Sequence, residues 1–331
     1  MCTLSLMPPC CSLTTRGVKY YVVELSLMAG SKAITRRIHF SAMASDCELL
    51  FIGASDAQAN TFAELAIAEV RRIEAKFSRY RPESELSRIN GLAGSHIPID
   101  PETDGLLKFA ADCFRLSGGL FDVTTAPLQQ LWRFGFKHHG LNNECFPQEA
   151  QIKAALDHIG FERLGIENNS LWLPAGMSLD FGGIAKEYAA DRALLLIERQ
   201  ARDRGLDVAV LVNLGGDIAA SRYPWQIGVE GVHAKCDSDL LKAEASGLIA
   251  FPGGGLATSG DTKRFVLVDG KRVGHILSPK TGYPVPDSPR SVTVLAPSAS
   301  AAGMLSTMAM LKGEGAEDFL RGEGLVYLVQ R

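Results

Sequence analysis

The sequence predicts an α+β fold, a single domain in which a largely antiparallel sheet packs against several helices. Three observations carry this. Apolar residues recur at helical spacing in five windows, and β-like runs lie between them without the regular strand–helix–strand alternation of a doubly wound sheet. Asp269-Gly270, set between FVLV (265–268) and RVGHIL (272–277), reads as a type I′ hairpin turn, which implies an antiparallel pair.

The helices come in order. Ser55-x-x-Gln58 has the spacing of a capping box, and Phe62, Ala63, Ala66, Ile67, Val70, Ile73 and Phe77 follow at intervals of three and four. Asp100 before Pro101 opens a second helix, which carries Leu106, Leu107, Ala110 and Phe114 and stops at Gly118-Gly119. A third runs from about Pro147 to Gly160, a fourth from Lys186 to about Arg204, and a fifth near 299–312, ended by Gly313. The β-like runs are ELLFI (48–52), VAVLVNL (208–214), WQIGV (225–229), FVLV, SVTVLA (291–296) and LVYLV (325–329). The segment 230–254, with acidic, Gly and Pro residues, reads as a long surface loop. Residues 1–42 read as a poorly ordered N-terminal extension and 43–331 as the domain.

With 331 residues and 46% hydrophobic content, the chain can bury a sizeable core. A formal net charge of −3 leaves no excess of Lys and Arg to hold duplex nucleic acid or an anionic membrane. Seven scattered cysteines without a C-x-x-C pair suggest neither a disulfide framework nor a structural zinc site, and a reducing compartment is the simpler reading. No run approaches the roughly 18 apolar residues of a membrane span. The first 40 residues lack the ordered basic, apolar and small-residue regions of a secretory signal, so the location is cytoplasmic by default. A start upstream of Met28 or Met43 explains the ragged N-terminus as well as a leader does.

Motif tests exclude several chemistries. G-x-x-x-x-G-K-S/T, G-x-G-x-x-G opening a helix, H-E-x-x-H and G-x-S-x-G are all missing. What remains is a set of glycine-linked polar clusters. In GGIAK (182–186), glycines let a ligand approach the backbone, a helix N-terminus supplies N–H donors and positive dipole, and Lys186 adds a point charge, which suits a phosphate. Taken alone, the same string also fits a structural strand-to-helix turn. A second cluster is SGGLFDVTTAPL (117–128), and a third joins ATSGD (257–261) to HILSPKTG (275–282).

Together and in order, these clusters resemble the ApbE family, the FAD:protein FMN transferases. The matching stretches are FSRYRPESELSRIN (77–90), GGLFDVTTAPL (118–128), LDFGGIAKEYAADRA (179–193), VNLGGDI (212–218), ATSGD, HILSPKTGYPV (275–285) and SVTVLAPSASAAGMLSTMAMLKG (291–313), covering the chain from about Met43 to its end. The resemblance implies a single ApbE-like, T-fold-related domain that binds FAD and Mg2+. It transfers FMN to a Ser or Thr hydroxyl of a target flavoprotein and leaves AMP. It further implies that Met43, Tyr80, Leu120, Phe121, Asp122, Asp180, Lys186 and Leu277 line the FAD site. The Gly183 carbonyl, Ser306 and Thr307 would meet the metal, and His275 would assist proton transfer. Family members often work outside the cytoplasm.

Three departures from the family pattern concern charge. The last block usually reads A-D-A-x-S/D-T, whereas here it is Ala302-Gly-Met-Leu-Ser-Thr307, so Gly303 stands where the metal-binding aspartate is expected. Ser278 replaces a common Asp, and Glu187 replaces a common Gly. A hard divalent cation thereby loses its principal anionic ligand. Three readings follow: weak binding through Gly183, Thr307 and the FAD diphosphate; Glu187 supplying the missing carboxylate; or flavin binding without transfer. Hydrolysis of FAD to FMN and AMP at the same site is a further activity the sequence does not separate. The acceptor motif D-x-x-x-G-A-S/T is not present; Gly53-Ala-Ser55 comes nearest but has Leu49 in place of the Asp, so the target is a separate protein.

Overall fold

The computed structural model describes residues 35–132, 147–230, 245–261, 265–268 and 271–331. In order the elements are β1 (Thr35–Ala42), β2 (Ser45–Ile52), α1 (Asp56–Phe77), α2 (Glu85–Gly91), β3 (Ser95–Pro98), α3 (Pro101–Leu116), α4 (Ala126–Trp132) and α5 (Glu149–Leu156). There follow β4 (Gly165–Glu167), β5 (Ser170–Leu173), α6 (Ala185–Asp203), β6 (Ala209–Leu214), β7 (Asp217–Ala220), β8 (Trp225–Glu230) and β9 (Ala245–Phe251). The chain ends with β10 (Gly254–Gly260), β11 (Phe265–Val268), β12 (Lys271–Gly274), β13 (Ser291–Ala296), α7 (Ala299–Leu311), α8 (Ala316–Gly322) and β14 (Val326–Gln330).

The central sheet has the order β1-β2-β6-β7-β10-β13-β14, and each adjacent pair is antiparallel. Side-chain alternation explains its place in the middle of the molecule. Leu49 and Phe51 of β2, with Val210, Val212 and Leu214 of β6, join the core beneath the helices. Leu50 and Leu211 point the other way, into a second cluster with Trp225, Ile227 and Phe251 of the antiparallel β8–β9 pair. Both faces of these strands are therefore dry, which is why they read as continuous apolar runs.

The helical layer follows from local signals. Ser55 caps α1 through Gln58 N–H, and Gln58 bonds back to Ser55 N–H, the full capping box. The Asp100 carboxylate caps α3 at Thr103 N–H, 2.8 Å away, with Pro101 at the first helical position. α1 packs on α6, α6 lies over β6 and β7, and α7 lies over β10 and β13.

Some expectations are corrected. Residues 35–42, read as part of a poorly ordered extension, form edge strand β1 paired along its length with β2. The segment read as a surface loop over 230–254 contains β9 at 245–251, and β10 begins at Gly254. The Asp269-Gly270 turn lies outside the described residues, although β11 and β12 on either side of it pair antiparallel as that turn implies.

Candidate active site

The stretch LDFGGIAK is held in place by its apolar residues. Leu179 and Phe181 are fully buried, and the Phe181 ring meets Phe77 edge-on at 5.5 Å. Each such burial contributes about 1.5–3 kcal/mol, enough to fix which way the residue between them points. Asp180 accordingly turns outward to an ion pair with Arg79, while its backbone N–H donates to the Val123 carbonyl. The Gly182 N–H donates to Asp180 Oδ1 at 2.9 Å. The Gly182-Gly183 turn then leads into α6, whose N-cap, Ile184, offers no capping side chain. The Ile184 and Ala185 N–H groups donate to the Phe181 carbonyl, so what this start offers an anion is chiefly the positive end of the helix dipole.

Just inside that start lies a charge centre. Lys186 Nζ is 2.6 Å from Asp217 Oδ2, and the Asp217 carboxyl is almost wholly buried at the start of β7. The next residue, Glu187, is only 7% exposed. Burial pushes its carboxyl up to about 8, the neighbouring Asp217 adds to the rise, and Lys186 opposes it. Burial raises Asp217 as well, against the pull of Lys186 and of the Thr258 N–H.

Across from Glu187 stands α7. A Cβ built on Gly303 would lie 2.6 Å from Glu187 Cγ and 2.7 Å from Glu187 Oε1. The Glu187 side chain thus fills the space a side chain at 303 would need. One turn further along α7, Ser306 Oγ donates to the Gly303 carbonyl at 3.1 Å. Ser259 of β10 bridges Ser306 and Thr307, with oxygen separations of 2.8 and 2.9 Å. Asp217 and Ser259 were not singled out in the sequence; both sit in quoted motifs, VNLGGDI and ATSGD, where a polar residue beside glycines is the available signal.

The other expected residues surround this centre unevenly. Met43 and Ala44 form the β1–β2 turn with φ of 51° and 54°, a left-handed conformation unusual for such side chains, and Glu74 Oε1 accepts the Met43 N–H at 2.8 Å. Tyr80 is 67% exposed, its ring backed by the Arg79 guanidinium. The Phe121 ring lies against Gly183, where a Cβ would come within 3.4 Å of it, and Leu120 is half-buried beside it. Asp122 faces inward: its carboxylate accepts Thr124 N–H, Thr124 Oγ1–H and Phe161 N–H, so it fixes the loop rather than presenting free oxygens. Leu277 packs with Leu128, Trp132 and Ile152. His275 is half-buried just after β12. Ser278 Oγ accepts the N–H groups of Lys280 and Thr281, so its hydroxyl shapes the turn where a carboxylate was expected.

Among the described residues no three His, Cys, Asp or Glu side chains converge to enclose a metal unaided. The donors present are nonetheless all oxygens: two buried carboxylates, two hydroxyls on α7 and one on β10. Glu187 Oε2 has no hydrogen-bond partner among the described residues. This set fits a hard cation such as Mg2+, which keeps waters and takes phosphate oxygens to complete its shell.

A sequence model described as the ApbE family matches residues 43–328. A Haemophilus influenzae protein named FAD:protein FMN transferase is 30% identical over 75% of this chain and 71% of its own length. A Vibrio cholerae protein of the same name is 29% identical over 88% of this chain and 86% of its own. Among solved structures, the ApbE protein of Thermotoga maritima superposes with a TM-score of 0.78 at 29% identity, covering 89% of this chain and 94% of that one. The Pseudomonas stutzeri flavinyl transferase ApbE does so with a TM-score of 0.76 at 27% identity, covering 91% and 92%.

Proposed function

The chain belongs to the ApbE family, and from that premise we propose that it transfers FMN from FAD to a Ser or Thr hydroxyl of a separate target flavoprotein, with a divalent cation required. Its relatives bear the name FAD:protein FMN transferase, and FAD is the substrate. In the transfer the acceptor hydroxyl oxygen attacks the FMN-side phosphorus. The anhydride P–O bond breaks, AMP leaves with the electron pair, and the hydroxyl proton passes to His275.

One observation carries this reading: an ammonium, Lys186, held by Asp217 at the uncapped start of α6. Phosphoryl-group displacement needs positioning and charge neutralisation more than covalent help. Lys186 neutralises phosphate oxygens and Asp217 aims it. The positive end of the α6 dipole favours the diphosphate, and the exposed Tyr80 ring, stiffened by Arg79, offers a stacking face to a FAD ring. The Gly183 carbonyl, Ser306 and Thr307 would hold the cation, which would supply further charge neutralisation to the phosphate oxygens. The reading of the chain as a flavin carrier without transfer drew on the Gly303 and Ser278 departures; against it stand the names of the relatives and the Glu187 side chain filling the space beside Gly303.

The test is incubation with FAD, Mg2+ and a domain bearing D-x-x-x-G-A-S/T, followed by intact mass. The covalent FMN increment should appear with metal and vanish with chelator. FMN and AMP released without any increment on the acceptor would instead identify a hydrolase.

A further inference from the structure

We infer that Glu187 of α6 is the carboxylate ligand of the divalent cation, in a site where Glu187 and Gly303 are an obligate pair: the carboxylate enters from α6 because α7 leaves it room. The inference rests on the metal-dependent reading above.

The steric half is direct. With Glu187 in place, any Cβ at 303 would sit 2.6 Å from its Cγ and 2.9 Å from its Cδ, closer than real contacts allow. Gly303 is itself buried on α7, and glycine is less favourable than alanine in a helix interior. Glycine there is explained by the side chain opposite.

The electrostatic half concerns what the carboxylate is for. Glu187 is 7% exposed and its Oε2 lacks a partner among the described residues, a costly arrangement for an isolated group. The nearby ammonium, Lys186, is bonded to Asp217. Among the described residues, two buried carboxyl groups, Glu187 and Asp217, stand beside the one ammonium of Lys186. The hydroxyls of Ser306 and Thr307 follow Gly303 on the same helix, and Ser259 ties them together. A small oxygen-seeking dication satisfies the orphaned oxygen and draws the hydroxyls into one ligand set.

The structure also reverses one obvious experiment. Restoring the family's aspartate by Gly303→Asp alone should not improve the site, because the new side chain collides with Glu187. The two positions have to be exchanged together.

The test is Mn2+ titration followed by electron paramagnetic resonance of the free ion, with Mn2+ alone and with saturating FAD. Glu187→Gln, which keeps the shape, should weaken Mn2+ at least as much as loss of an outer-shell partner does, about 10- to 100-fold. Gly303→Asp should bind no more tightly than the parent. The exchanged variant Glu187→Gly with Gly303→Asp should recover most of the affinity lost in Glu187→Gly. Unchanged Mn2+ affinity in Glu187→Gln overturns the inference, as does tighter binding in folded Gly303→Asp, or a parent that binds no Mn2+ in either arm. If the exchanged variant does not fold, the isosteric Glu187→Gln decides. Glu187-dependent Mn2+ binding without FMN transfer would sink the proposed function and leave this inference standing; metal-dependent transfer with unchanged binding in Glu187→Gln would do the opposite.

Discussion

Lys186 is the residue on which the site's charge balance turns. Its ammonium pairs with the buried Asp217 and opposes the rise of the Glu187 carboxyl, so its removal should disturb the fold and, in the proposed reaction, the handling of substrate. Lys186→Met should lower kcat/KM for FMN transfer roughly 10²-fold, the scale of losing one preorganised charge at a displacement site. It should also reduce stability by about 3 kcal/mol, because breaking a buried pair strands the remaining charge. Steady-state transfer assays and thermal melts read the two effects separately; a variant with normal transfer would remove Lys186 from the phosphate site. The lysine was legible in the sequence because GGIAK is a local pattern. Its partner was not, since Asp217 lies 31 positions further along and reaches Lys186 only through the β6–β7 turn. Ser278 was misleading for a related reason: a sequence shows a carboxylate lost, whereas only the turn geometry shows a hydroxyl accepting two backbone N–H groups.

At the scale of elements, the site depends on the seam between α6 and α7. Asp191 of α6 accepts the N–H groups of Ala299 and Ser300 at 2.8 and 2.9 Å and the Ser300 hydroxyl at 2.6 Å. A side chain from one helix thus caps the next. It sets the spacing at which Glu187, one turn earlier on α6, meets Gly303, one turn later on α7. Asp191→Ala should cost about 0.5–2 kcal/mol, as loss of a helix cap does, and should lower Mn2+ affinity although Asp191 is not placed in the metal site. A melting temperature and Mn2+ affinity both equal to the parent's would show that the seam is held by packing alone. The helices themselves were largely readable, because caps such as Ser55–Gln58 and Asp100-Pro101 are written within a few residues. Strands β7 (DIAA) and β10 (GGLATSG) were not. Their short or glycine-rich sequences have little β-preference, and they are strands because neighbours on both sides pair with them.

Over the whole molecule, a charged network ties three helices together. Glu102 of α3 accepts Arg72 at 2.6 and 2.9 Å and Lys76 at 2.6 Å, both from α1, and the Tyr188 hydroxyl of α6 at 2.9 Å. Tyr188 adjoins Glu187, so this network and the charge centre share one helix turn. Arg72 above all, then Lys76 and Tyr188, hold the Glu102 carboxyl down to about 2 from its usual 4.5. A folded-state value below the unfolded one means that the unfolded chain binds protons first as pH falls. The stabilisation is therefore full above about pH 4.5 and lost progressively down to about pH 2. Glu102→Gln should be less stable than the parent near neutral pH, and the gap should close across that acid window. Glu102 is 19% exposed, so added salt should narrow the gap at neutral pH without abolishing it. Thermal melts of both proteins at neutral pH, near pH 4.5 and near pH 2 test this. A gap that stays constant at all three would mean that Glu102 acts through packing and neutral hydrogen bonds, and the three-helix layer would owe its cohesion to the apolar core beneath it.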